Sequence, residues 1–366
     1  MKNNNPNDIN KLYEQVRNRE ITEELFCTEL DSFQCYQAHY VKCAYFYHTR
    51  KDISKAKEEI DRAIYILNSK DKEYINSILL KNIESKVYFL AGQIYANLGE
   101  LKESLDFYIK SQYYAILLKS DFENDNFGIV YSFRSISTYS LSDLISKSIT
   151  VCHPSLMNDP FDSLFTLWSK KENLNKICSI SKAHIDPYSK SFQFFKIRSF
   201  VGNKQLKSDI NIVKKIVMWS HYADEHRGFC IKYRLSNKFI KKERNEECSH
   251  RYLKMIQYQP KNKKILIENP NSNTDELFAY KSHEWKYENE IKLISYDASC
   301  EKDYQQITLD NDSSIEAIYF GYRCPENSIR DIMRIVGSNT QYYKMEYNSL
   351  NIYKLEIIKK EYESPS

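Results

Sequence analysis

Between Pro6 and Pro154 the chain contains no proline, so nothing in that stretch removes a helical N–H or clashes with a preceding turn. Apolar and small residues recur there at helical spacing. Tyr40, Cys43, Ala44 and Tyr47 mark one helix, and Ala56, Ile60 and Ala63 mark the next. Tyr88, Ala91, Gly92 and Tyr95, followed by Ser104, Tyr108 and Ser111, repeat the arrangement. Asn97-Leu98-Gly99 is placed to turn one helix into another, with Glu100 opening the second, and Ile9–Leu30 offers a further hairpin. The polar run Ser120–Gly128 ends this pattern. Beyond it, short runs rich in β-branched and aromatic residues predict strands over Ile129–Phe133, Ser148–Cys152, Phe229–Tyr233, Ile265–Glu268, Glu288–Ser295 and Ala317–Phe320. Helices are predicted over Thr138–Lys147, Asp162–Ser169 and Ser328–Val336. The expected architecture is an all-α domain of helical hairpins over residues 1–120. An α+β domain follows over 129–366, with a mixed or antiparallel sheet and flanking helices.

The repeated aromatic–small–aromatic spacing resembles a tetratricopeptide repeat. The period is longer than usual and the closing proline is missing, so a plain helical bundle is the other reading. In both, this half is a scaffold: it holds no cluster of Asp, His or Cys spaced for chemistry. The resemblance implies a protein partner bound through the helices.

Charge and composition narrow the classes. There are 53 Lys and Arg against 49 Asp and Glu, and the net charge of +4 is too small to mark a nucleic-acid binder by itself. Nine cysteines stand singly, with no C-x-x-C pair, which disfavours a disulfide framework and a zinc finger. The seven glycines build neither a G-x-G-x-x-G nor a P-loop, so phosphate cradles of those kinds are not expected. No apolar run reaches the length of a membrane span and the first residues carry no apolar leader core. The expected location is cytoplasmic, away from membranes.

Four separated pieces concentrate the chemistry. They are Tyr131-Ser132-Phe133-Arg134-Ser135; Val151-Cys152-His153-Pro154-Ser155 with Asn158-Asp159-Pro160-Phe161-Asp162; Met218-Trp219-Ser220-His221-Tyr222 running on to Gly228-Phe229-Cys230-Ile231; and Lys281-Ser282-His283-Glu284-Trp285-Lys286-Tyr287-Glu288-Asn289-Glu290-Ile291-Lys292-Leu293. In this order they resemble the bacterial family known only as domain of unknown function 2971, over about residues 129–321. Lys292 stands where that family usually has Arg, and Lys lacks the planar fork for bidentate contacts. The resemblance implies a fold and no activity.

Read as a strand, the fourth piece puts Glu288, Glu290 and Lys292 on one face, with Ile291 and Leu293 on the other. One reading is a surface strand with solvated charges; the other is the wall of a polar cleft. A strand with Tyr and Arg, a helix, a second strand and a late E-x-E also resemble the ADP-ribosyltransferase group, whose toxin-like members acting on nucleic acid are the nearest comparison. That resemblance implies NAD as substrate, with Tyr131 or Arg134 holding it. It implies that Glu290 offsets the positive charge of the breaking glycosidic bond while Glu288 assists the acceptor. A nucleic acid is then a possible acceptor, and a toxin or phage-defence effector a possible role. No metal is expected in this chemistry.

Asn158 and Asp159 read either as turn and cap residues, with Pro160 at a first helical position, or as ligand-binding groups near Arg134. Trp219, His221 and Tyr222 offer more hydrogen-bonding capacity than packing requires. His221 reads equally as a proton carrier or as a core histidine bonded to backbone. Two alternatives remain. Glu290-Ile291-Lys292, with Asp275 upstream, matches half of a Mg²⁺-dependent nuclease site of restriction-endonuclease type. The last is a ligand-sensing protein without turnover.

Overall fold

The computed structural model describes residues 6–33, 35–69, 77–117, 127–157, 159, 164–168, 175–179, 192–203, 209–240, 249–259, 266–267, 276–348, 351 and 354–360. The expected division into helical and α+β parts is observed. The helices are α1 (Pro6–Arg17), α2 (Glu23–Asp31), α3 (Tyr36–Tyr45), α4 (Ile53–Asn68), α5 (Ser77–Asn97) and α6 (Leu101–Leu117). Helices α3 and α4 pack on each other, as do α5 and α6, and the residues that predict this are the ones at the contacts. Ala56, Ile60 and Ala63 are buried. A Cβ at Gly92 would lie 2.7 Å from the Tyr108 ring, so the close approach of α5 and α6 needs glycine there. Ser104 Oγ donates to the Gly92 carbonyl at 2.8 Å, and Ser85 and Ser111 bond each other's carbonyls. The turn at Gly99 is left-handed, with φ at +80°, as a helix-ending glycine requires.

The second part contains β1 (Phe127–Arg134), α7 (Thr138–Ile145), β2 (Ser148–Cys152), β3 (Leu164–Trp168), β4 (Asn175–Ser179), β5 (Phe195–Val201), β6 (Phe229–Ser236), β7 (Ser249–Met255) and β8 (Gln257–Gln259). It continues with β9 (Leu266–Ile267), β10 (Tyr280–Ser282), β11 (Glu290–Asp297), β12 (Tyr304–Thr308), β13 (Ser314–Phe320), β14 (Gln341–Tyr347) and β15 (Leu355–Lys360). Helices Ile216–Tyr222 and Glu326–Val336 flank the sheet. Ser137 caps α7 in a reciprocal box with Ser140, and Ile329, Ile332 and Met333 form the buried stripe of the last helix.

One predicted helix is corrected. Residues 164–168 form β3, antiparallel to β4 and parallel to β9. Leu-Phe-Thr-Leu-Trp is rich in strand formers, and ladder pairing with two partners outweighs an apparent helical period. Asn158 and Pro160 lie outside the described residues, as do Ser120–Asn126 and Asp275.

The main sheet runs β12-β2-β5-β1-β6-β13-β14-β15, and β11 also pairs with β5 and with β7. Only β13 and β14 run parallel among its described pairs. Strand β5 is the branch. It pairs with β11 from Phe195 to Val201 but meets β1 at one position, Tyr131 opposite Val201. Strand β1 follows β6 along its whole length. The sheet therefore forks, one wing carrying β5, β11 and β7 and the other β1, β6, β13, β14 and β15. A wedge opens between Ser132–Arg134 and Arg198–Phe200. One face is covered by α7 and helix Glu326–Val336 through Leu144, Ile329 and Ile332, and the other by helix Ile216–Tyr222 through Met218 and Trp219. Helix α6 packs against the first wing, where Tyr113 and Ile109 join Phe195, Tyr252, Ile294 and Tyr296.

Candidate functional site

The wedge is the entrance to a cavity of about 480 Å³, within the usual range for small-molecule sites. Residues 131–135 of β1 and the turn after it line it, with 197–201 of β5, helix residues Met218, His221 and Tyr222, and Lys281, Trp285, Glu288 and Glu290. The first, third and fourth of the sequence pieces thus meet here with the second, which contributes Cys152, Leu156, Met157 and Asp159.

Glu288 and Glu290 do not lie on one straight strand. Glu288 ends a 3₁₀ turn over His283–Glu288, and Asn289 takes the left-handed conformation with φ at +46°. Strand β11 begins at Glu290. The kink swings both carboxylates onto one ammonium: Lys281 Nζ lies 2.7 Å from Glu288 Oε2 and 2.9 Å from Glu290 Oε2. Ser199 Oγ donates to Glu290 Oε1 at 2.5 Å, and the Tyr222 hydroxyl donates to Glu288 Oε1. The Glu290 backbone N–H donates to the Tyr258 hydroxyl at 2.7 Å.

These surroundings drive the two carboxyls apart. Burial works to raise Glu290, yet Lys292, Lys281 and the Ser199 hydroxyl outweigh it and hold Glu290 below the ordinary carboxylate value. At Glu288 burial prevails over Lys281 and Tyr222, and its pKa is raised. For Lys281, burial opposes the charge but Glu290 and Glu288 prevail, so it stays protonated. Burial and the neighbouring Glu288 raise the Tyr222 phenol. A carboxylate held ionised beside one that takes a proton readily is a common division of labour between two acids.

The other candidates are placed as follows. His221 is exposed at the cleft, its Nδ1 3.0 Å from the Tyr287 hydroxyl; it is not a core histidine. Trp219 is fully buried, donates from Nε1 to the Val213 carbonyl at 2.7 Å, and meets Phe133 edge-on. It does not line the cavity. Tyr131 is also fully buried, and its hydroxyl accepts the Asp209 N–H at 3.3 Å. Arg134 pairs with buried Asp143 at 3.2 Å. Lys292 is fully buried and is not among the residues that line the cavity. Asp159 borders the cavity.

The turn after helix Ile216–Tyr222 is strained. Asp224, Glu225 and His226 are left-handed in succession, with φ of 48°, 48° and 70°, a conformation that costs an L-residue roughly 1–2 kcal/mol each. Bonds from His226 N to the Trp219 carbonyl and from Gly228 N to the Ala223 carbonyl hold it. A Cβ at Gly228 would overlap the Arg134 carbonyl, so the turn and β1 meet only through glycine.

Sequence reading missed Lys281, Ser199 and Arg198. Lys281 opens the fourth piece and was visible there. The other two face the site only through the register of β5 with β11 and β1, a strand the pattern did not reveal. Among the described residues no group of three His, Cys, Asp or Glu is arranged to hold a metal ion.

Fold and site define an α+β protein with a forked sheet and a buried carboxylate pair at the fork. The family whose model matches the chain is described as "Protein of unknown function (DUF2971)", over residues 218–293. That span holds His221, Tyr222, Lys281, Glu288 and Glu290, whereas Arg134, Arg198 and Ser199 lie before it. The expected resemblance over 129–321 is thus supported for its third and fourth pieces. No curated protein and no solved structure matches the chain. No helix among the described residues is long and apolar enough to cross a membrane.

Proposed function

We propose that the cleft binds NAD and breaks its nicotinamide–ribose bond, releasing or transferring ADP-ribose. The observation that carries this reading is the carboxylate pair at the fork, with Glu290 held ionised and Glu288 the more basic of the two. Breaking a glycosidic bond builds positive charge on the sugar, and a fixed carboxylate offsets it at no cost in reorganisation. Glu290 is fixed by Ser199, Lys281 and the bond from its own backbone to Tyr258. Glu288 is suited to accept a proton from the attacking group, whether water, protein or nucleic acid. His221 stands at the entrance for the acceptor side. The helical part carries a charged groove, lined among others by Glu24, Asp31, Lys42, Arg50, Lys55 and Arg62; this is where the reading places a protein partner, as in a toxin or phage-defence effector.

The test is nicotinamide release from NAD by the purified full chain. Glu290→Gln should lower the rate about 10²- to 10³-fold, normalised to folded protein because its buried charge also contributes to stability. Glu288→Gln should impair transfer to an acceptor more than NAD cleavage. Retention of release in Glu290→Gln would refute the reading. Nucleic-acid cleavage that chelator abolishes would instead favour the Mg²⁺-dependent nuclease, and ligand binding without turnover the sensor.

A further inference from the structure

Besides the carboxylate pair, the cavity is lined by two groups of the opposite charge. Arg198 projects from β5 into the wedge and Arg134 from β1. Each borders the cavity, and the Arg134 charge bears on Arg198. Arg134 has a carboxylate partner, Asp143, whose oxygens also accept from Thr150 and Ser148. Arg198 has none among the described residues. Its Nη2 donates to Ser132 Oγ at 2.7 Å, and its Nε is sealed from solvent without any partner there. Burial, then the Arg134 charge, pull the Arg198 guanidinium down to about 10, which leaves it charged at neutral pH.

An arginine that feels Asp143 only at a distance and touches no carboxylate among the described residues, beside a second arginine that holds Asp143 directly, is costly unless an anion completes it. The fork explains the position. Because β1 and β5 separate after Tyr131 and Val201, the strand edges leave a gap that Arg198 spans only as far as Ser132. Ser132 borders the cavity beside Arg198 as a further hydroxyl. A planar fork, a hydroxyl and an excess of one positive charge suit a phosphate or diphosphate.

We infer that Arg198, assisted by Arg134 and Ser132, binds the phosphate groups of a nucleotide ligand. The inference rests on the cleft being the ligand site proposed above, but not on NAD cleavage. It also orients the ligand: phosphates at the arginines, and the sugar bond to be broken at Glu290.

The experiment is calorimetric titration of the full chain with ADP-ribose, ADP and adenosine, at two salt concentrations. ADP-ribose and ADP should bind, adenosine far more weakly, and added salt should weaken the first two. Arg198→Gln should reduce ADP affinity roughly 10- to 100-fold, the loss of one charge-assisted contact, and leave adenosine unchanged. Arg198→Lys keeps the charge without the fork and should recover only part of the affinity. Thermal midpoints identify any variant that fails to fold. In that case Ser132→Ala, which removes the hydroxyl that holds Arg198 Nη2, serves in its place: ADP affinity should fall while adenosine binding stays as in the parent, and unchanged ADP affinity overturns the assignment. Equal binding of ADP and adenosine, or ADP affinity untouched in folded Arg198→Gln, overturns the assignment. If ADP binds as described while NAD is not cleaved, the proposed reaction falls and the anion site stands.

Discussion

Replacing Lys281 with methionine probes the site most directly, because that side chain is the bridge between two buried acids. The side chains of Lys281, Glu288 and Glu290 are 8%, 5% and 2% exposed, so screening by water is slight. Removing one partner of such a buried pair costs about 3–5 kcal/mol, chiefly because the remaining charge is stranded away from water. For a domain of this size that corresponds to roughly 6–20 °C in the unfolding midpoint. The pH dependence fixes the cause. Without the ammonium, folded Glu288 takes up a proton at still higher pH than in the parent. A carboxyl raised on folding contributes fully below its unfolded pKa of about 4.3, and that contribution is lost as pH rises through the folded value. The deficit of Lys281→Met should therefore be small near pH 4.5 and largest above pH 7. Adding Glu288→Gln to Lys281→Met should recover much of it by removing the stranded charge. The assay is urea unfolding followed by circular dichroism at several pH values. A deficit independent of pH, or no recovery in the double variant, would refute the account.

Other outcomes follow from single contacts. Tyr222→Phe deletes the hydroxyl bonded to Glu288 and should raise the Glu288 pKa further, seen as an upward shift of its carboxyl resonance titration. Gly228→Ala should destabilise by several kcal/mol, since the new Cβ meets backbone that cannot rotate away; a neutral effect would show that the turn relaxes freely. Proteolysis is expected first between Ser120 and Gly128, where a polar run interrupts the helical pattern of the sequence. The fragments should then co-elute in size exclusion through Tyr113 and Ile109 on the sheet, and Tyr113→Ala should separate them.

Much of the framework was legible because it follows local rules. The helical spacing of Tyr88, Ala91 and Tyr95 and the Ser137 cap need only residues close in sequence. Strand Glu290–Asp297 was legible as a strand, but not as fully buried: its solvent-like alternation of Glu290 and Lys292 is satisfied internally by Lys281 and Ser199. The kink at Asn289 was hidden as well, since a left-handed residue between two glutamates leaves little trace when it is not glycine. Strand β5 escaped because Phe-Lys-Ile-Arg-Ser-Phe-Val places charges where a buried strand should be apolar. Those charges have partners or tasks that only the fold supplies: Lys196 donates to the Cys300 carbonyl at 2.7 Å, and Arg198 lies in the wedge. Local pattern thus failed where long-range register decided the chemistry.

Helix α6 is attached to one arm of the fork. Its Tyr113 and Ile109 sit in the aromatic cluster of β5, β7 and β11, and the Tyr296 hydroxyl of β11 donates to the Ile109 carbonyl at 3.3 Å. In mechanical terms α6 is a lever with its load on the arm that holds Glu290. The opposite arm, with Arg134, is braced by α7 and the helix Glu326–Val336. The helical half is thus tied to the arm that carries Glu290, through side chains that also complete that arm's aromatic core.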